Sequence, residues 1–151
     1  LNNIMRWMWR AWCVLYFFIL IYVVFFAGRR PSPTWGLDNN QQPLLIPFRL
    51  KWYQYTHAYN LSDVYLDVIG NIIMFVPMSL FLYIVFGVRK YSRLFLIGFL
   101  ASLIIEIVQY VTGIGIPDID DLIFNTAGAF LGIVVIDGVR RAILSNSGSP
   151  L

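Results

Sequence analysis

The chain has 151 residues, enough for one domain, and 59% of them are apolar while only 13% are charged. A soluble domain averages about 45–50% apolar and about 25% charged, so this composition, with a mean hydropathy of +0.70, excludes an ordinary soluble protein. The net charge is +3, but the cations stand in small groups at the ends of apolar runs, which argues against a nucleic-acid face and for a membrane protein.

Four apolar runs follow in chain order. The first, "AWCVLYFFILIYVVFFA" at 11–27, carries no charge. The stretch after it, "AGRRPSP", is a poor small-residue cleavage site, so the run reads as a span and not as a signal peptide. The single cysteine, Cys13, lies inside this run and reads as inert packing. The second run covers 68–88 and holds Asn71, Pro77 and Ser79. The third covers 94–111 with Glu106 and Gln109, and the fourth covers 122–139 with Asn125 and Asp137. Each approaches the roughly 20 residues that cross about 30 Å of hydrocarbon. Lipid offers no hydrogen bonds to a backbone, so the expected fold is all-α, with four transmembrane helices. No internal repeat is visible. A single domain over 1–151 is expected, with its motif-bearing core at about 44–139.

Lys and Arg favour the cytoplasmic side of a span. Arg6 and Arg10, then Arg89, Lys90 and Arg93, then Arg140 and Arg141 fall on one side of a four-span chain. Arg29, Arg30, Arg49 and Lys51 fall on the other, together with Asp38, Asp63, Asp67, Asp118, Asp120 and Asp121. Both termini are therefore expected in the cytoplasm, and the protein in the cell membrane as a multi-pass chain. The segment 28–67 becomes a long outer loop between the first two helices. Its first part, "RRPSPTWGLDNNQQP", reads as irregular. Its second part carries Trp52, Tyr53, Tyr55, Tyr59 and Tyr65, which suit the headgroup layer and predict an interfacial or re-entrant segment. The tail "SNSGSP" reads as irregular too.

This topology brings polar residues of three spans to one depth, near the outer face: Asn71, Glu106, Gln109, Asp121 and Asn125. Gly98, Ser102, Glu106 and Gln109 form one helical stripe, and Asp121, Asn125, Gly128 and Gly132 form another. Small residues let helices approach closely. The two stripes are expected to face each other, packing the third and fourth spans through Gly128 and Gly132 and setting Glu106 against Asp121 and Asn125. A carboxylate facing lipid costs about 2.5–3.5 kcal/mol at mid-membrane, so Glu106 is expected to face protein or water. Asp118 with Asp121 also fits an N-cap and its partner three residues on. Asp118 and Asp120 are expected to be secondary, nearer to capping and solvent, and Arg49 is a secondary candidate too. His57 reads as an interfacial loop residue.

Three stretches, "NIIMFVP" at 71–77, "IEIVQ" at 105–109 and "DIDDLIFNTAGAFLG" at 118–132, resemble the motifs of the VanZ-like family, and "LIPF" at 45–48 resembles its loop motif. Asn71, Phe75, Pro77, Glu106, Gln109, Asp121, Asn125 and Gly128 match the family pattern. The resemblance implies a small polytopic protein of the cell envelope, linked in its founding member to resistance against the glycopeptide teicoplanin. It implies no cofactor and no established reaction. Many members carry an arginine between the second and third motifs. Here "YVTGIGIPD" has none, so a counter-cation for the acids would come from Arg49 or Lys51.

Two functions follow as expectations. The first is a non-enzymatic envelope protein whose polar cluster binds a ligand at the outer leaflet. Its partners would be membrane lipid and either a lipid-linked cell-wall precursor or the glycopeptide itself. The alternative is an intramembrane enzyme acting on an envelope lipid or wall precursor. It would use Glu106 and Asp121 as an acid–base pair, or Glu106 with Asp118, Asp120 and Asp121 as oxygen ligands of a hard cation. A transporter fits poorly, because four helices offer no inverted repeat.

Overall fold

The computed structural model describes residues 2–27, 44–57, 61–114 and 117–146. Among the described residues the regular elements are all helices. Helix α1 spans Asn3–Tyr22 and continues as a π-helical turn, Val23–Ala27. Helix α2 spans Arg49–His57, α3 Ser62–Ile84, α4 Tyr91–Thr112 and α5 Ile119–Asn146. Among the described residues four helices are long and apolar enough to cross a membrane, with candidate spans Asn3–Phe26, Val64–Ile84, Tyr91–Thr112 and Ile119–Asn146. The Pro- and Asn-rich stretch with Arg29 and Arg30, together with Tyr59 and the tail beyond Asn146, lies outside the described residues.

Two helices overrun their apolar stretches. Helix α1 starts well before residue 11, because "NIMRWMWR" holds no helix breaker and the Asn2 side chain caps it, accepting from Met5 N at 2.9 Å. Helix α5 runs on past Arg140 and Arg141 into the stretch expected to be irregular. An Arg141–Asp137 pair one turn apart (2.7 Å) supports that extension. Helix α4 stops where Gly113 takes a left-handed conformation, φ 65°, which glycine adopts without a Cβ penalty.

The closest packing is α5 on α3. A Cβ added at Gly128 would stand 2.1 Å from the Ile72 carbonyl oxygen, and one at Gly132 would stand 2.4 Å from that of Val76. This corrects the expectation that Gly128 and Gly132 face the third apolar run: they face the second. Helix α5 turns a different line of residues toward α4. There the Gly98 position is in contact with the Ala129 Cβ, and Asn125 donates to the Ser102 hydroxyl at 3.0 Å. Small-residue spacing reveals a close-packing face but not which neighbour fills it. Leu20, Phe75, Met78 and Ala129 form one buried core cluster, and Leu94, Ile133 and Ile136 another. Helix α1 joins through the Tyr16 hydroxyl, which donates to the Met74 carbonyl at 2.7 Å.

The bundle has two unlike ends. Trp9, early in α1, meets Phe81, late in α3, edge-on at 6.0 Å. Tyr91, at the start of α4, donates to Asp137, late in α5, at 3.0 Å. The opposite end gathers the last turns of α1 and α4 with the first turns of α3 and α5, and α2 lies there too.

Candidate functional site

Asp118 is the centre of that second end. It stands immediately before α5 and caps it, its Oδ1 accepting from the Asp120 amide at 2.9 Å. Carboxylates suit this place, since unpaired amides and the helix dipole both favour negative charge. The Asp118 amide donates to Glu106 Oε2 at 2.8 Å, and its Oδ2 lies 3.3 Å from Lys51 Nζ. One residue therefore ties α4, α5 and α2 together.

Around this hub each acid has its own partner. Asp121 Oδ1 accepts from Asn71 Nδ2 of α3 at 2.7 Å. Asp120 is 1% exposed, and its Oδ1 accepts from the Phe48 amide at 2.7 Å. Asp120 Oδ2 is buried with no hydrogen-bond partner among the described residues. Phe48 takes a left-handed conformation, φ 59°, which costs a non-glycine residue about 1–3 kcal/mol and persists only where surroundings enforce it. The Asp120 bond and an edge-on contact of the Phe48 and Phe124 rings (6.1 Å) enforce it here. Just upstream, Leu44 forms a short parallel bridge to Asp118: Leu44 N donates to Pro117 O at 2.8 Å, and Ile119 N donates to Leu44 O at 3.0 Å.

Lys51 supplies the cation. Its ammonium pairs with Asp67 of α3 as well as with Asp118. Burial works against its charge, but Asp67 and Asp118 outweigh that and raise its pKa, so it stays protonated. Burial also pushes the Asp118 carboxyl up, partly opposed by Lys51.

Of the expected cluster, Asn71, Glu106 and Asp121 bond around Asp118 and the start of α5, while Asn125 bonds to Ser102, and three expectations are corrected. Glu106 reaches the Asp118 amide, and Asp121 reaches Asn71, so the two acids do not bond to each other. Asp118 and Asp120 are not solvent-side residues; they are 6% and 1% exposed, more buried than Glu106 at 8%. Gln109 points to α1, its Nε2 donating to the Val24 carbonyl at 3.4 Å, inside the π-helical turn where the regular bonding pattern shifts. Arg49 is exposed and makes no ion pair among the described residues. Lys51 takes the place open to either cation. Asp67 and the Phe48 amide were not foreseen as site groups. No periodicity links an aromatic loop to acids 67–72 residues away, and only the resemblance of "LIPF" to a motif marked that loop at all. Among the described residues, no group of three or more His, Cys, Asp or Glu side chains is placed to hold a metal ion. The oxygen-ligand alternative therefore lacks a geometric basis there.

The VanZ/LLP1 family model matches residues 13–140. The chain belongs to that family. Over 67 residues it is 39% identical to "Protein VanZ" of Enterococcus faecium, a match covering 44% of this chain and 42% of that protein. The chain thus spans less than half the length of that curated relative. No solved structure matches. Within this VanZ/LLP1 chain, Asn71, Asp121 and Asn125 make bonds between helices, Glu106 accepts from the residue just before α5, and Phe75 and Gly128 sit in the contact of α3 with α5.

Proposed function

We propose that this VanZ/LLP1 protein acts in the cell envelope as a non-enzymatic binding protein. It lowers susceptibility to glycopeptides such as teicoplanin through the polar cluster, which lies at the outer leaflet with both termini in the cytoplasm. The observation that supports this most is the burial of Glu106, Asp118 and Asp120 at one end of an otherwise apolar bundle. Acids in a membrane are costly and face a protein interior or water, and here three helices and a loop are tied together to hold them. The reading as an acid–base enzyme has less support, because Glu106 and Asp121 are each engaged by a separate donor rather than set as a pair. The ligand would be a membrane lipid, a lipid-linked wall precursor or the drug.

The test is teicoplanin susceptibility in a host where the wild-type chain has a measurable effect, with membrane levels checked by blot. Glu106→Ala and Asp121→Ala are expected to abolish the effect at normal levels, and Arg49→Ala to leave it. A fully active, well-expressed Glu106→Ala protein would mean that the cluster only holds the helices together.

A further inference from the structure

The acids outnumber the cation that faces them. Lys51 is the one cation bonded into a group that contains Asp67, Glu106, Asp118, Asp120 and Asp121 among the described residues. Its immediate partners are Asp67, whose side chain is 31% exposed, and Asp118, at 8%. Asp67 is thus a part of the cluster that reaches the outside. In the same cluster, Asp120 Oδ2 is buried with no hydrogen-bond partner among the described residues. A second observation concerns the element that carries Lys51. Helix α2 buries no residue. Among the ties that hold it over the cluster are the Lys51 ion pairs, the Phe48 amide bond to Asp120, the Leu44 bridge and one ring contact. An element with no apolar residue in the core opens more readily than the packed spans once its polar ties are replaced.

Resting on the ligand-site reading above, we propose that residues 44–57 form a hinged cover over a cation subsite, that Lys51 fills this subsite in the closed state, and that a ligand's primary ammonium group displaces it. The chemistry that a ligand must match is the chemistry Lys51 already satisfies: three N–H donors on one compact positive charge, taken up by Asp67 and Asp118. With the cover displaced, Asp120 loses its bond to Phe48, and both its carboxylate oxygens become acceptors. A guanidinium is a planar fork and fits this subsite less well. A quaternary ammonium brings charge without N–H donors and leaves the carboxylates unpaired. A primary amine at a membrane surface can belong to a lipid headgroup or to a soluble molecule, and the test separates the two.

The experiment uses the full chain in phosphatidylcholine nanodiscs and reads amide hydrogen exchange and binding. In the wild type, exchange at Phe48 and Ile119 is expected to speed up with added dihexanoyl phosphatidylethanolamine, while amides at 98–102 and 128–133 stay protected. Dihexanoyl phosphatidylcholine should do nothing. Free ethanolamine acting as well as the lipid assigns the subsite to amines at large; the lipid acting alone assigns it to a headgroup. Lys51→Met should exchange faster at 44–57 without any amine and bind the amine probe about tenfold more tightly, because no internal ammonium competes. Lys51→Arg should exchange at 44–57 faster than wild type but slower than Lys51→Met, because its charge remains while its fork fits the subsite less well. Wild-type exchange unmoved by every amine would overturn the proposal, and so would a folded Lys51→Met chain with no gain in amine binding. Amine binding in a chain without any effect on teicoplanin sinks the drug reading and leaves the cover standing; the reverse result sinks the cover alone.

Discussion

At Asp118 one side chain and its own peptide group serve several helices, and the two parts separate cleanly by mutation. The Asp118 amide holds Glu106 whatever the side chain is, whereas Oδ1 caps α5 and Oδ2 meets Lys51. Asp118→Asn keeps an oxygen for the cap but turns an amide NH2 toward the Lys51 ammonium, which is left to Asp67, so in detergent it should lose the ion pair while keeping the cap and unfold at a temperature between wild type and Asp118→Ala. Asp118→Ala loses the cap and should destabilise by about 0.5–2 kcal/mol. Equal losses for both variants would show that the Lys51 charge, and not the cap, is what Asp118 contributes. The Asn71–Asp121 bond at 2.7 Å makes a second test. Each single alanine variant strands a partner, so the double variant should lose less than the sum. A coupling of about 0.5–2 kcal/mol is expected from a double-mutant cycle on unfolding, and purely additive losses would mean the bond contributes nothing.

At the scale of elements, the packing of α5 on α3 depends on backbone approach. The neighbour at Gly128 and Gly132 is a carbonyl oxygen, not the tip of a flexible side chain. Even a methyl group must therefore push the helices apart. Gly128→Ala and Gly132→Ala should each cost about 1–3 kcal/mol, as overpacking does elsewhere. Gly70, earlier on α3, meets nothing within 4 Å, and Gly70→Ala should melt like wild type; a similar drop at all three would point to glycine flexibility rather than contact. The same face shows what sequence could and could not reveal. The spans, their order and the gathering of Asn71, Glu106 and Asp121 at one end were legible, because charge, helical spacing and the cost of a carboxylate in lipid are local properties. The partner of each stripe was not legible, since a helix with two neighbours can turn its small residues to either. Nor was Lys51 distinguishable from Arg49 within the loop, because α2 is too short and too polar to show a buried face.

The whole molecule is polarised along its long axis. One end collects the acids, and the first turns of α3 and α5 both lie there, so their positive dipole ends reinforce the preference for carboxylates. The other end holds Tyr91, Asp137 and Arg141 in one bonded group. Arg6, Arg10, Arg89, Lys90, Arg93 and Arg140 occur near the helix ends on that side of the chain's four-span order. Such an axis has a preferred direction in a bilayer, since Lys and Arg beside short loops are retained in the cytoplasm while acids weigh little. The expected orientation puts the basic end inside and the acidic end outside, where a ligand arriving from the envelope would meet Asp67 first. The check is cysteine labelling in intact cells with a membrane-impermeant thiol reagent. Cys13 is buried in the bundle, and Cys13→Ala supplies a silent background. A cysteine at Asn39, in the segment between the first two spans, should label before lysis. One at Ser147, just past α5, should label only after it. Labelling at Ser147 alone would invert the orientation and put the polar cluster at the inner leaflet, which no glycopeptide site could use; labelling at both positions would break the four-span reading itself.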